Sequence, residues 1–320
     1  MAQNRRLAIT GATGHVGQQI LQHLMDEGYT DIRCLCRKEK PGSSDPRIQW
    51  IQGDLLDVFS LDDLVSGADT LIHAAGLVSF SPLDKARLFK VNAEGTGNLV
   101  NVALNAGVRH LIHVSSTAAL GRPATTERIN EQVEWVKSPW NTPYGESKYN
   151  AELEVWRGME EGLGVSIINP ALILDPHGQS RSTKVFLKWL QEGNTYFPAG
   201  GNGFVDIRDV ARFVGELIEK DPTGERVILA GANLSYQEIL SQLASLCQLK
   251  SPTRLLSRQM AQVFALGKYL IGRSGLFPQE VMLAYLKVQY DTSRSTQKHA
   301  FSYTTLASTL ADIAARKQGK

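Results

Sequence analysis

The sequence predicts an α/β fold: a doubly wound parallel sheet with a smaller, mostly helical C-terminal lobe. Three observations predict it. A glycine-rich turn sits between a short apolar strand and an apolar-periodic helix near the N-terminus. Short apolar strands then alternate with helical stretches up to about residue 170, the pattern of a parallel sheet covered on both faces. Several of those strands end in small or hydroxyl residues, which leaves little side-chain bulk along one edge of the sheet.

Arg6-Leu7-Ala8-Ile9-Thr10 reads as a buried strand. It enters Gly11-Ala12-Thr13-Gly14-His15-Val16-Gly17 and then a helix marked by Val16, Ile20, Leu21 and Leu24. The spacing is G-x-x-G-x-x-G, a variant of the G-x-G-x-x-G dinucleotide fingerprint. Glycines permit the tight turn and let backbone approach a pyrophosphate, whose charge then sits at a helix N-terminus. Gly11, Gly14 and Gly17, with Thr13, His15 and Val16 between them, are therefore the candidate cradle. The second strand, Asp31 to Cys36, ends at Arg37, about 20 residues beyond Gly17. An acidic residue there would take the ribose 2′-hydroxyl of NAD, and an arginine accommodates the 2′-phosphate of NADP. Arg37, Lys38 and Lys40 are basic, so NADP(H) is favoured over NAD(H).

Pro41 to Pro46 is a loop, and Ile48 to Ile51 a third strand leading to Gly53-Asp54-Leu55. The fourth strand, from Asp69, ends in Ala74-Ala75-Gly76, small residues that would let a flat ligand approach. A long helix from about Leu83 to Ala106 contains Asn92. The fifth strand runs from His110 into three adjacent hydroxyls, Ser115, Ser116 and Thr117. Tyr144-Gly145-Glu146-Ser147-Lys148 follows Pro143. If a helix begins there, Tyr144 and Lys148 share one face, one turn apart. A free phenol, with a pKa of about 10, transfers protons poorly at neutral pH unless something stabilises phenolate, and a nearby ammonium does so. That helix runs to about Glu161, and Gly164 to Pro170 is a sixth strand. The carboxyl ends of these strands gather Gly11, Asp54, Ala74, Ser116 and Pro170 at one edge.

The alternation then loosens. Asp175 to Thr183 reads as loop, Thr183 to Gln191 as helix, Phe204 to Val210 as a strand-to-helix unit and Arg226 to Ala230 as a strand; residues 233–320 read as mainly helical. The expected division is 1–172 as nucleotide-binding domain, with about 204–232 returning to it, and 173–203 with 233–320 as the substrate lobe. The loops 77–86, 118–142 and 172–204 are expected to shape the substrate pocket.

A formal net charge of +2 gives no case for nucleic acid or an acidic surface as partner. Cys34, Cys36 and Cys247 read as small core or near-core residues rather than disulfide partners. The seven histidines, His73, His110 and His113 among them, are scattered without metal spacing and read as structural, so no metal is expected. Residues 260–272 form an apolar patch interrupted by Lys268, too short for a membrane span and better suited to an amphipathic helix. A first strand by residue 6, with no apolar leader before it, and this cysteine usage point to a reducing, cytoplasmic setting.

The motifs TGATGHVG (10–17), GDL (53–55), HAAG (73–76), VNAEGT (91–96), HVSST (113–117), YGESK (144–148), NP (169–170) and VDIRDVA (205–211) resemble, in order, those of the extended short-chain dehydrogenase/reductases. GGNGFVDIRDVA (200–211) is similar to the dihydroflavonol 4-reductase-like branch, which also uses NADP. The resemblance implies a Rossmann fold and a soluble NADP(H)-dependent oxidoreductase. It implies that Gly11, Gly14 and Gly17 line the pyrophosphate, Arg37 takes the 2′-phosphate, and Asp54 with Leu55 flanks the adenine. Ala74, Ala75 and Gly76 pass beside the ribose, Asn92 belongs to the cofactor site, and Pro170 leads the backbone past the nicotinamide. Ser116, Tyr144 and Lys148 would be the catalytic trio; counting back from Gly121 as in relatives selects Ser116 among the three hydroxyls. A small-molecule substrate and a homodimer through the long helices are further implications.

The expected chemistry is reduction of a ketone or aldehyde, or the reverse. Ser116 would hydrogen-bond the oxygen where charge develops, Tyr144 would deliver the proton, and Lys148 would lower the tyrosine's pKa. Three alternatives stand beside it. A sugar or sugar-nucleotide epimerase or dehydratase usually holds NAD and an arginine just before the segment at Phe204, where Gly201-Asn202-Gly203 stands here. A sterol-type dehydrogenase would suit apolar C-terminal helices. An NADPH-sensing regulator without turnover would not need the intact trio.

Overall fold

The computed structural model describes residues 5–38, 45–122, 128–263 and 278–317. Lys40, loop residues 41–44 and the 264–272 part of the apolar patch lie outside the described residues. Seven parallel strands form the main sheet. In chain order they are β1 (Leu7–Thr10), β2 (Ile32–Cys36), β3 (Ile48–Gln52), β4 (Thr70–His73), β5 (His110–Val114), then β7 (Gly164–Pro170) and β11 (Arg226–Leu229). Their spatial order is β11-β7-β5-β4-β1-β2-β3. The order reverses at β1, whose neighbours are β2 and β4, which is the switch point where such sheets take ligands.

The register aligns the strand ends. Thr10 pairs with His73, His73 with His113, and Val114 with Ile168. Gly11, Ala74, Ser115 and Asn169 therefore follow one another along the carboxyl edge. β1, β4 and β5 are buried throughout, as strands covered on both faces must be. On one face, Leu64, Leu71, Leu99, Leu111, Val155 and Ile167 interlock with no exposed surface.

The chain divides into two compact units: 1–119, 143–169 and 208–227 form the first, and 120–142, 170–207 and 228–320 the second. Residues 120–142 thus group with the second unit, a placement absent from the sequence reading, which kept them with the nucleotide half. They carry β6 (Arg128–Ile129), which pairs with the strand Gln289–Tyr290 rather than with the main sheet.

The second unit holds a three-stranded sheet of β8 (Leu172–Leu174), β10 (Gly201–Asp206) and β12 (Ala232–Ser235). Against it pack α6 (Arg181–Gln191), α8 (Tyr236–Leu246) and the helix Leu306–Lys317, through Phe186, Ile239 and Leu310. A capping box of Ser235 and Glu238 starts α8. This part of the chain is more mixed than the mainly helical expectation, because short strands interrupt it. No described helix is long and apolar enough to cross a membrane.

Candidate active site

The glycine loop closes on itself. Gly11 adopts φ +77°, and a β-carbon there would stand 2.5 Å from the Ala75 nitrogen. A β-carbon on Gly17 would lie 2.0 Å from the Gly11 carbonyl oxygen. These two glycines let β1, the turn and the loop after β4 touch backbone to backbone. Gly14 differs: with Thr13 it is exposed, and it caps α1 (His15–Asp26) with no side-chain hydrogen bond. The first-turn amides of α1, which includes partly buried His15 and Val16, carry no side-chain cap and suit an anionic group. On this evidence the loop fits a dinucleotide's phosphates.

Arg37 and Lys38 are exposed at the end of β2. Asp54 turns its carboxylate onto the Leu56 amide at 3.0 Å. Leu55 is buried, and its β-carbon would be 2.9 Å from a β-carbon on Gly95, so its side chain is committed to packing. Ala74 and Ala75 are partly buried and Gly76 exposed along the edge after β4. Pro170 ends β7 and is buried.

The predicted long helix runs without a break from Lys85 to Asn105, as α3 (Lys85–Leu88), a π-helical turn (Phe89–Glu94) and α4 (Gly95–Asn105). Asn92 sits in the widened turn, 2% exposed. Its Oδ1 accepts from the Leu77 amide at 2.7 Å, and its Nδ2 donates to the Leu77 carbonyl and to Ser147 Oγ, each at 2.9 Å. It pins the loop after β4 to α5 (Pro143–Glu160).

α5 begins at Pro143, whose fixed φ suits a first helical position. Tyr144 and Lys148 therefore stand one turn apart on it. The three hydroxyls after β5 separate by their surroundings. Ser115 is buried and donates to Glu152 Oε1. Thr117 is buried in a 3-10 turn. Ser116 keeps partial exposure, accepts the Ala118 amide at 3.1 Å, and acts on the Tyr144 phenol to lower its pKa. Phe80 flanks the Tyr144 ring, with centroids 6.0 Å apart.

Burial pushes the Tyr144 phenol above its ordinary value, and Ser116 opposes this only in part. The expected lowering of the phenol by Lys148 is not found: desolvation raises it, and the opposing influence is Ser116. Lys148 is itself buried; its Nζ donates to the Val114 carbonyl at 3.0 Å and lies 3.5 Å from His113 Nε2. Burial pushes its ammonium down to about 8, and the Glu152 carboxylate acts the other way.

Several groups were missed or read as merely structural from sequence. The His113 and His73 rings lie tilted against each other with centroids 4.9 Å apart and are held neutral by burial, His73 at about 3. His73 is fixed by Thr10 at 2.7 Å and Thr96 at 2.9 Å. Glu152 and Asn169 form a buried network beneath Ser115 and Ser116. The signal for Glu152 was present: positions 144, 148 and 152 repeat at helical spacing. All three cysteines are free and buried. No group of three metal-ligating side chains occurs among the described residues.

The fold and the site define an α/β nucleotide-binding protein with a tyrosine–lysine pair at the carboxyl edge of its sheet. Residues 7–230 match the NAD dependent epimerase/dehydratase family, and the chain belongs to it, as an extended short-chain dehydrogenase/reductase. It is an enzyme of the NAD(P)-dependent type found there. Two curated relatives align over nearly the full length. A protein of Synechocystis named "Putative dihydroflavonol 4-reductase" is 28% identical, covering 95% of this chain and 92% of the relative. Sterol demethylase protein B of Methylococcus capsulatus is 30% identical, covering 96% of each. The crystal structure of gox2253 superposes with a TM-score of 0.83 at 25% identity, covering 99% of both chains. A DesIV double mutant, dTDP-glucose 4,6-dehydratase of Streptomyces venezuelae with NAD bound, has a TM-score of 0.77 at 20% identity, covering 98% and 97%. It shares the fold.

Proposed function

We propose that this enzyme is an NADP(H)-dependent oxidoreductase that reduces a ketone or aldehyde of a small organic substrate, or oxidises the alcohol, with Tyr144 as general acid/base. The observation that carries the reading is Tyr144 on α5 one helical turn before buried Lys148, whose Nζ donates to the Val114 carbonyl at the end of β5, two residues before the partly exposed Ser116.

The amides from Gly11 to Gly17 hold the pyrophosphate. Arg37, exposed where an acidic side chain would favour the other dinucleotide, takes the 2′-phosphate. Asp54 and Leu55 border the adenine, Ala74 to Gly76 the ribose, Asn92 braces that wall, and Pro170 leads the backbone onward. When bound, the nicotinamide supplies or accepts the hydride. Ser116 holds the substrate oxygen where negative charge develops, and Tyr144 delivers the proton to it. A phenol held above its ordinary value stays protonated at neutral pH, which suits a donor in the reductive direction. The Lys148 ammonium favours phenolate after the proton has left.

Steady-state oxidation of NADPH and NADH with a panel of ketones and aldehydes tests this. Turnover should prefer NADPH, and Arg37→Ala should raise the Kd for NADPH while leaving NADH unchanged. Tyr144→Phe should lower kcat/KM by about 10²–10⁴ with the Kd for NADPH unaltered. No turnover on any substrate, with Tyr144→Phe binding NADPH as wild type does, would favour a sensor instead. A second reading, oxidation of a sterol-type alcohol, is favoured by the 30% identical relative named Sterol demethylase protein B. Hydroxysterols with either oxidised dinucleotide belong in the same panel.

A further inference from the structure

Glu152 lies one turn beyond Lys148 on α5 and is 1% exposed. A carboxylate so buried is costly unless it is paired and hydrogen-bonded. Three strands of the main sheet provide the partners. Ser115, after β5, and Asn169 Nδ2, on β7 at 2.6 Å, donate to Oε1. Arg226, at the start of β11, brings Nη1 to 3.3 Å from Oε2.

Two of these partners reach the candidate catalytic hydroxyl. Ser115 precedes Ser116 directly. Asn169 Nδ2 also donates to the Ser116 carbonyl at 2.9 Å. Both contacts of that nitrogen are to acceptors, so the amide orientation is determined and Asn169 acts as a bridge from Glu152 to Ser116.

The charges around Lys148 make the same point. His113 and His73 face it from β5 and β4 as neutral imidazoles, and Tyr144 is a neutral phenol on its own helix. Glu152 is the charge that supports the ammonium against burial. Burial raises the Glu152 carboxyl above its ordinary value, and Arg226, then the Ser115 and Asn169 hydrogen bonds, oppose that rise in favour of the carboxylate.

We propose that Glu152 is a positioning residue: its carboxylate, seated by Arg226, Ser115 and Asn169, is the buried counter-charge of Lys148 and the anchor that fixes Ser116 beside Tyr144. The roles of those three residues rest on the reductase reading, but the Glu152–Lys148 coupling does not, and the test needs neither substrate nor cofactor.

The full-length protein labelled with ¹³Cε-lysine is titrated by NMR, with the Lys148 signal assigned by its loss in Lys148→Met. Wild type should titrate near pH 8. Glu152→Gln keeps the shape and removes the charge, and should lower the midpoint by about one pH unit or more. Glu152→Asp restores the charge and should bring it back towards wild type. If Glu152→Gln leaves Arg226 unpaired and does not fold, the double variant with Arg226→Met removes both charges and should still lower the midpoint. An unchanged or raised midpoint in folded Glu152→Gln or in the double variant would overturn the proposal. A lowered midpoint in a protein that turns over no carbonyl would overturn the reductase reading and leave this coupling standing.

Discussion

Lys148 carries a stability cost that depends on pH, and Lys148→Met should expose it. The lysine is buried and its ammonium is pushed down to about 8. In the unfolded chain a lysine titrates near ~10.4. Below pH 8 both states hold the proton, and the folded state bears the whole penalty of a buried ammonium. At about 1.36 kcal/mol per pH unit, that penalty is roughly 3 kcal/mol at pH 7. Between the two midpoints the folded protein has shed its proton while the unfolded chain retains it. The unfolded state then binds more protons, so stability rises with pH through this window. The same accounting leaves roughly 1 kcal/mol at pH 10. Other lysines and tyrosines titrate too, but they do so in both proteins, and the difference between wild type and variant isolates Lys148. Methionine fills a similar volume without the charge. Urea unfolding at pH 7, 8, 9 and 10 should therefore find Lys148→Met more stable at pH 7, with its advantage shrinking by about 2 kcal/mol by pH 10. A difference that stays constant with pH, or grows with it, would refute the reasoning.

Two further outcomes follow from local geometry. Gly17→Ala places a β-carbon 2.0 Å from the Gly11 carbonyl oxygen, so the loop must open. NADPH binding, followed by fluorescence titration, should be lost even where thermal melting shows a folded protein. Asn92→Ala strands the Leu77 amide and carbonyl that it now satisfies, while Ser147 keeps its bond to the Tyr144 carbonyl. It should cost about 1–3 kcal/mol by urea unfolding and loosen the loop after β4.

The parallel sheet was legible because its strands are short apolar runs, several of them ending at glycine, alanine or serine, and the structure places β1, β2, β3, β4, β5, β7 and β11 where those runs stand. The Gly11–Gly17 turn was legible because only glycine tolerates the approaches found there. What the sequence concealed were long-range pairings. Nothing local tells that residues 128–129 pair with 289–290, more than a hundred positions away, or that residues 120–142 group with the second unit. The π-helical turn at Phe89–Glu94 was hidden too, because its apolar spacing reads as ordinary helix until Asn92 must reach Leu77. Of the three hydroxyls after β5, composition could not separate one from another. Burial does, by committing Ser115 to Glu152 and leaving Ser116 open to Tyr144.

The same burial sets the electrostatics of the pair that the spacing picked out. A tyrosine and a lysine four residues apart suggest a lysine that acidifies a phenol. In the folded chain desolvation acts on both, raising the one and lowering the other, so their midpoints, nearly equal in the free side chains, separate. Placing them so is costly, and the cost is spread over neighbours that do no chemistry: neutral His73 and His113 pack beside the ammonium, and Glu152, itself paired with Arg226, offsets its charge. A sequence pattern can locate the pair. The proton affinity of each member belongs to the interior that surrounds it, and in this chain that interior is built from the ends of β4, β5, β7 and β11.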